Sequence, residues 1–131
     1  MLTEKEINDF KVNGAVLLKK KFDIHWSKKL KKGIEKDIKY PSPRFKSHTI
    51  KNGVPAYLED YWTWNLVSEF KDFVFNSPTA QIASELMSAK KINLVMDNWF
   101  LREGVQNHQL HFTTISLILM LKVQCAFFGY R

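Results

Sequence analysis

The sequence predicts a single α+β domain, and three stretches predict it. A helix-start signature stands at Thr3–Glu6, an Asn-Gly turn separates two extended runs at Asn52–Gly53, and apolar and polar residues interleave from Lys90 to Gly104. A chain of 131 residues that is 45% hydrophobic is long enough for one domain with a real core and too short for two. It is also too apolar to be disordered.

Thr3-Glu4-Lys5-Glu6 is a capping box, in which Thr3 and Glu6 satisfy each other's backbone N–H groups. It predicts a helix over Thr3–Asn13, with Ile7 and Phe10 as its apolar face and Gly14 as the glycine past its end. Ala15–Leu18 reads as a short buried strand near 15–19. Trp26, Leu30, Ile34 and Ile38 recur every four residues among Lys28, Lys29, Lys31 and Lys32, which predicts an amphipathic helix over His25–Tyr40. Gly33 weakens the middle of that helix, and Pro41-Ser42-Pro43 ends it.

Phe45–Ile50 and Val54–Tyr61 flank Lys51-Asn52-Gly53, so they predict a hairpin of strands at 45–50 and 54–61. Tyr61, Trp62 and Trp64 concentrate aromatic area and are expected in the core. Ser68 is expected to cap a helix through Phe75, with Glu69 in its first turn. Asn76-Ser77-Pro78 breaks that helix. Ser77 or Thr79 starts the next, over Thr79–Met87, with Ile82 and Leu86 facing inward. There is no internal repeat and no low-complexity linker.

The stretch from 91 to 102 organises the rest. In an extended chain Ile92, Leu94, Met96, Asn98, Phe100 and Arg102 share one face, while Asn93, Val95, Asp97, Trp99 and Leu101 share the other. Both faces carry large apolar groups, so a strand buried on both sides is expected. Asn98 and Arg102 need partners on such a strand. Two readings stay open: a core strand whose polar end reaches water, and a strand lining a polar pocket. On the second, Asn98, Phe100 and Arg102 are the candidate wall, with Arg102 a fixed cation whose forked donors suit a carboxylate.

Charge is uneven. The formal total is +7. Residues 1–53 hold fourteen lysines and arginines against six acids, residues 54–131 hold six against seven, and no acid follows Glu103. The start, Met1–Phe10, is charged throughout and reads as no signal peptide. One cysteine, Cys125, rules out an internal disulfide and fits a reducing, cytoplasmic setting. Leu110–Phe128 is long and apolar with neither helical nor alternating period, but Lys122 lies inside it. A lysine at a membrane centre costs about 2.5–3.5 kcal/mol, so a membrane anchor is not expected.

Three segments carry a family resemblance. Glu6-Ile7-Asn8-Asp9-Phe10-Lys11-Val12-Asn13-Gly14-Ala15-Val16 is one, and Phe70-Lys71-Asp72-Phe73-Val74-Phe75-Asn76-Ser77-Pro78-Thr79-Ala80 is another. The third is Asp97-Asn98-Trp99-Phe100-Leu101-Arg102-Glu103-Gly104, where the family often has lysine at the place of Arg102. In this order and spacing, residues 3–104 resemble the phytanoyl-CoA dioxygenase-like family of Fe(II)- and 2-oxoglutarate-dependent oxygenases. The resemblance implies a double-stranded β-helix, a jelly-roll or cupin-like barrel with flanking helices. Residues 1–104 would supply the N-terminal portion of it, an incomplete barrel. It also implies an oxidoreductase, a dioxygenase that uses Fe(II) and 2-oxoglutarate to hydroxylate a small organic or acyl substrate.

The next residues in that family run Thr-Pro-aromatic-His-(His or Gln)-Asp, and its His and Asp are two of three iron ligands. Here Gln109-Leu110-His111-Phe112-Thr113-Thr114 stands instead, and His-X-Asp occurs nowhere. Back-translated with permitted codons and read two bases on, Gln109–Arg131 can give Thr-Pro-Phe-His-His-Asp followed by an open frame. Residues 105–131 therefore read as an aberrant apolar tail translated out of frame, with the shift near His108. On this reading the chain is a truncated, inactive member with no catalytic residue and no metal ligand of its own. Iron, 2-oxoglutarate and a small-molecule substrate belong to the intact parent. His25, His48, His108 and His111 read as solvent or turn residues rather than ligands.

There is no glycine-rich phosphate loop and no nucleophile elbow. The alternative is a small basic α+β binding module for nucleic acid or an anionic membrane surface, using the lysines at 19–21, 28, 29, 31 and 32. A solvated helix face accounts for these more simply, so neither nucleic acid nor membrane is the expected partner.

Overall fold

The computed structural model describes residues 1–49, 55–106 and 109–123, with side chains for 1–48 and 57–101. Four helices and four strands follow in the order α1 Glu4–Asn13, α2 Ile24–Lys39, β1 Lys46–Thr49, β2 Pro55–Tyr61, α3 Ser68–Asn76, α4 Thr79–Met87, β3 Ile92–Gln106 and β4 Gln109–Val123. Among the described residues the strands form one antiparallel sheet in the order β1-β2-β3-β4, which does not close into a barrel.

The local signals explain most of the boundaries. Thr3 and Glu6 close the capping box of α1, and Gly14 at φ 71 ends it with its N–H on the Phe10 carbonyl. Asp23 caps α2 by accepting from the His25 N–H at 2.8 Å. Of the apolar stripe of α2, Trp26 and Ile34 are buried, and Leu30 and Ile38 are partly buried against the core. The core sits where α2 and α3 cover β2 and β3, built from Ile34, Leu58, Val67, Phe70, Trp99 and Leu101.

Gly33 has a tertiary role there. A Cβ on it would lie 2.6 Å from Cε1 of Phe70, so the missing side chain lets α3 approach α2. The turns of α3 are set differently from the sequence expectation. Val67, not Ser68, is the cap residue, and it makes no side-chain capping bond. The Thr63 carbonyl instead accepts from Leu66 and Val67, which winds the chain into α3. Ser77 Oγ accepts from the Thr79 N–H at 3.3 Å at the start of α4.

Three other expectations are corrected. Residues 15–19 form no strand: they pair with no edge of the sheet, and Leu17 is 77% exposed. The aromatic cluster after β2 is mostly peripheral. Trp62 takes φ 56 and is 48% exposed, while Trp64 only packs at the core margin. Arg44 lies over the Tyr61 and Trp62 rings at 5.9 and 5.8 Å and gives this surface site a polar cover.

The central strand β3 is buried on one face only. Asp97, Trp99 and Leu101 are at 0% exposure, whereas Asn98 and Phe100 are half-buried and Val95 is half exposed. The tail, whose sequence has neither helical nor alternating period, forms a strand all the same. β4 pairs with β3 from Ile92↔Val123 to Gln106↔Gln109, with irregularities at Leu94/Met96 and Arg102/Glu103. A run as rich in Ile, Leu, Val and Thr as 113–123 has high strand propensity whichever frame encoded it.

The Asn52-Gly53 turn lies outside the described residues. The strands on either side of it, β1 and β2, pair antiparallel from Lys46↔Glu59 to Thr49↔Pro55. No helix among the described residues is long and apolar enough to cross a membrane.

Candidate functional site

Strand pairing decides which side chains meet, because directly opposed residues share a face. β2 and β3 pair Leu58↔Leu101 and Asp60↔Trp99 on the helix-covered face, and Glu59↔Phe100 and Tyr61↔Asn98 on the opposite, open face. β1 extends the open face with Lys46 opposite Glu59 and His48 opposite Tyr57.

The open face is polar and aromatic. His48 stacks on Tyr57 with ring centroids 4.1 Å apart, and its Nε2 lies 2.9 Å from Oε1 of Glu59. Tyr57 in turn meets the Phe100 ring at 6.3 Å. Asn98 Oδ1 is buried and has no hydrogen-bond partner among the described residues. Buried amide oxygens are nearly always bonded, so this one marks a place where a donor is missing.

The sequence candidates thus fall as follows. Asn98 and Phe100 lie on the open face beside Tyr61, Glu59 and Tyr57. Arg102 belongs to β3, opposite Thr114 of β4, but its side chain lies outside the described residues. His25 is exposed next to Asp23. His48 is neither a turn nor a freely solvated residue, since it is held between Tyr57 and Glu59. His108 lies outside the described residues, and His111 is described only as backbone. Among the described residues no group of three His, Cys, Asp or Glu side chains is arranged to hold a metal.

Beneath the open face, on the helix side, lies a layer that the sequence reading did not single out. Asp37, Asp60 and Asp97 are 2%, 0% and 0% exposed. Asp60 accepts from Ser42 N at 3.1 Å, Ser42 Oγ at 2.7 Å and Tyr61 N at 2.7 Å, and so ties the chain after α2 to β2. Asp97 accepts from Thr63 N at 2.9 Å and Thr63 Oγ1 at 2.7 Å, and so fixes the turn that launches α3.

Asp37 accepts from Trp99 Nε1 at 2.9 Å. Burial pushes the Asp37 carboxyl up to about 7; the Trp99 N–H works against this, and the neighbouring Asp60 and Asp97 add to it. A signal existed. Asp37 stands three residues after Ile34 on the buried stripe of α2, and Asp97 shares the alternation of Trp99 and Leu101. A carboxylate on a buried face has to be bonded or protonated.

An apolar groove of about 440 Å³ lies elsewhere, between the helices, lined by Phe10, Phe22, Trp26, Phe73, Ile82 and Leu86 among others. It is separate from the open face of the sheet.

No family model, curated protein or solved structure matches the chain.

Proposed function

We propose that residues 1–104 are the N-terminal portion of a phytanoyl-CoA dioxygenase-like oxygenase domain, and that residues 105–131 are read out of frame. The parent would be a cytoplasmic Fe(II)- and 2-oxoglutarate-dependent dioxygenase acting on a small organic or acyl substrate. In a jelly-roll barrel one sheet is covered outside by helices and turns its other face to the pocket. The observation that carries this reading is the division of β3. Trp99 and Leu101 pack under α2 and α3, while Asn98 and Phe100 lie on an uncovered polar and aromatic face. The Asn98 oxygen, unpartnered among the described residues, fits a pocket wall whose opposite side is not supplied.

The residues present do not fit an iron site. A non-haem Fe(II) centre of this class needs two imidazoles and a carboxylate on one face of the metal. Phe112-Thr113-Thr114-Ile115 occupies the position of that pair, and no carboxylate follows Glu103. Neutral threonine hydroxyls supply neither the charge nor the nitrogen donors, so no chemical step is assigned to this chain.

The alternative, a basic binding module, has less support. Lys29 is paired with Asp72, Lys36 and Lys32 with Glu69, Lys31 with Glu35 and Lys21 with Glu6, so much of the lysine face is matched by acids within the fold. Exposed pairs of this kind make a solvated surface and leave a weaker field for a polyanion. The nucleotide sequence across codons 104–112 tests the frame directly. An insertion or deletion whose repair yields His-X-Asp supports the proposal, and an unbroken alternative reading with no such motif removes it.

A further inference from the structure

All four helices line the groove on the helix side of the domain. Phe10 comes from α1, Trp26 and Leu30 from α2, Phe73 from α3, and Ile82 and Leu86 from α4. Its volume of about 440 Å³ lies within the range of about 300–1,000 Å³ usual for small-molecule sites. Phe22 stacks on Phe73 with ring centroids 5.6 Å apart and 28° between the planes, and Trp26 meets Phe73 edge-on at 5.6 Å. These three rings make one wall. Phe10, Leu30, Ile82 and Leu86 are only half-buried, and Phe22 is 39% exposed, so apolar surface from several elements converges on one concavity and stays wet.

Among the described residues no charged side chain lines the groove, and its polar side chains are Ser27 and Thr79. Asp9, Lys21, Lys29, Asp72 and Glu85 each directly precede a lining residue, and each is engaged within the fold. Asp9 pairs with Lys5, Lys21 with Glu6 and Lys29 with Asp72, while Glu85 accepts from the Leu2 N–H and from Gln81. A charged ligand would give up its hydration for walls that offer no counter-ion. Helix α1 leaves the space unfilled. It brings Phe10 to the rim but buries no residue of its own, and polar contacts hold it, from Lys21 to Glu6 and from Leu2 N to Glu85.

We propose that this groove binds an uncharged, ring-containing apolar small molecule, with its ring against Phe22, Trp26 and Phe73. A single hydroxyl or carbonyl group on such a ligand is served by the hydroxyls of Ser27 and Thr79. The ligand removes the half-buried side chains of α4 from water and gives Phe10 of α1 an apolar partner. The site lies apart from Asn98 and Phe100 and does not depend on the oxygenase reading.

The probe is N-phenyl-naphthylamine, an uncharged ring compound whose emission rises in apolar surroundings, titrated into the full 131-residue chain. Saturable binding of one probe per chain is expected. Ile82→Glu sets a charge in the wall and should weaken binding by at least about tenfold. Leu66→Glu, at an exposed apolar residue outside the groove, should leave it unchanged. Naphthol should displace the probe at concentrations about tenfold below those needed for naphthoate or naphthylmethylammonium. Absence of saturable binding, or binding that Ile82→Glu leaves unchanged, overturns the site. Charged naphthyl compounds that compete as well as naphthol overturn the ligand class. A natural chain that sediments as a dimer and turns monomeric in Ile82→Glu makes the groove an interface between copies, which also overturns the proposal. If Ile82→Glu does not fold, Phe22→Glu, at a more exposed position of the same wall, takes its place with the same expected loss.

Discussion

Trp99 Nε1 donates a 2.9 Å hydrogen bond to Oδ2 of Asp37, joining β3 to α2 across 62 residues of chain. Both partners are buried, so neither can exchange the bond for water at low cost. Trp99→Phe keeps a ring in the core but removes the donor. It should lower the unfolding free energy by about 2–4 kcal/mol, combining lost volume with an acceptor left short of a partner. Urea unfolding of the two chains measures this. A loss below about 0.5 kcal/mol would mean that the bond contributes little.

Gly33→Ala tests the close approach of α2 and α3. Alanine favours a helix over glycine by about 1 kcal/mol, so an exposed position would gain. Here the new Cβ meets Phe70 at 2.6 Å, and the Phe70 ring is fully buried with little room to turn. Overpacking of this kind costs about 1–3 kcal/mol, so the net effect should be a loss, relieved in Gly33→Ala combined with Phe70→Leu. A gain in the single variant would mean that the helices separate freely.

The dependence of stability on pH should be asymmetric. The Asp37 carboxyl is raised to about 7, so its contribution is complete below the ordinary aspartate range and is lost as pH rises to about 7. Glu6, held down by the Thr3 N–H and Lys21, Asp72, held down by Lys29, and Glu85, held down by the Leu2 N–H, work in the opposite sense. Their contributions are present above the ordinary carboxylate range and are lost as pH falls through their lowered values. The urea midpoint should therefore peak in mild acid, decline toward neutrality and level off above it. Asp37→Asn should abolish the neutral-side decline and keep the acid-side one.

Asn98→Leu separates a pocket residue from a structural one. The buried Oδ1 has no partner among the described residues, so replacing the amide by an apolar group of similar size should hold or raise the stability of this chain. A loss above about 1 kcal/mol in thermal or urea unfolding would show that Asn98 is bonded in solution and is part of the core network.

What could be read from the sequence was local or periodic. The capping box at Thr3, the Gly14 stop, the four-residue stripe of α2, the two extended runs that pair as β1 and β2 and the alternation of β3 each depend on neighbours within a few positions. What could not be read depends on distant partners. Gly33 stood out as a weak helix residue, but its reason is Phe70. Residues 15–19 have strand composition and no paired edge. Trp62 has core composition and a surface position imposed by a left-handed backbone at the end of β2. The face that holds Asn98 and Phe100 was legible from alternation alone, whereas the Asp37, Asp60 and Asp97 layer needed three elements brought together.

The central claim is that the oxygenase chemistry was lost with the reading frame. Two polypeptides test it: the present chain, and one with the frame restored at codon 108 and read to the next stop. Each is assayed for Fe(II) binding and for succinate release from 2-oxoglutarate. The restored polypeptide is predicted to bind iron and release succinate, and the present chain to do neither. Succinate release by the present chain would contradict the loss of frame, and a restored polypeptide that folds without binding iron would contradict the family assignment.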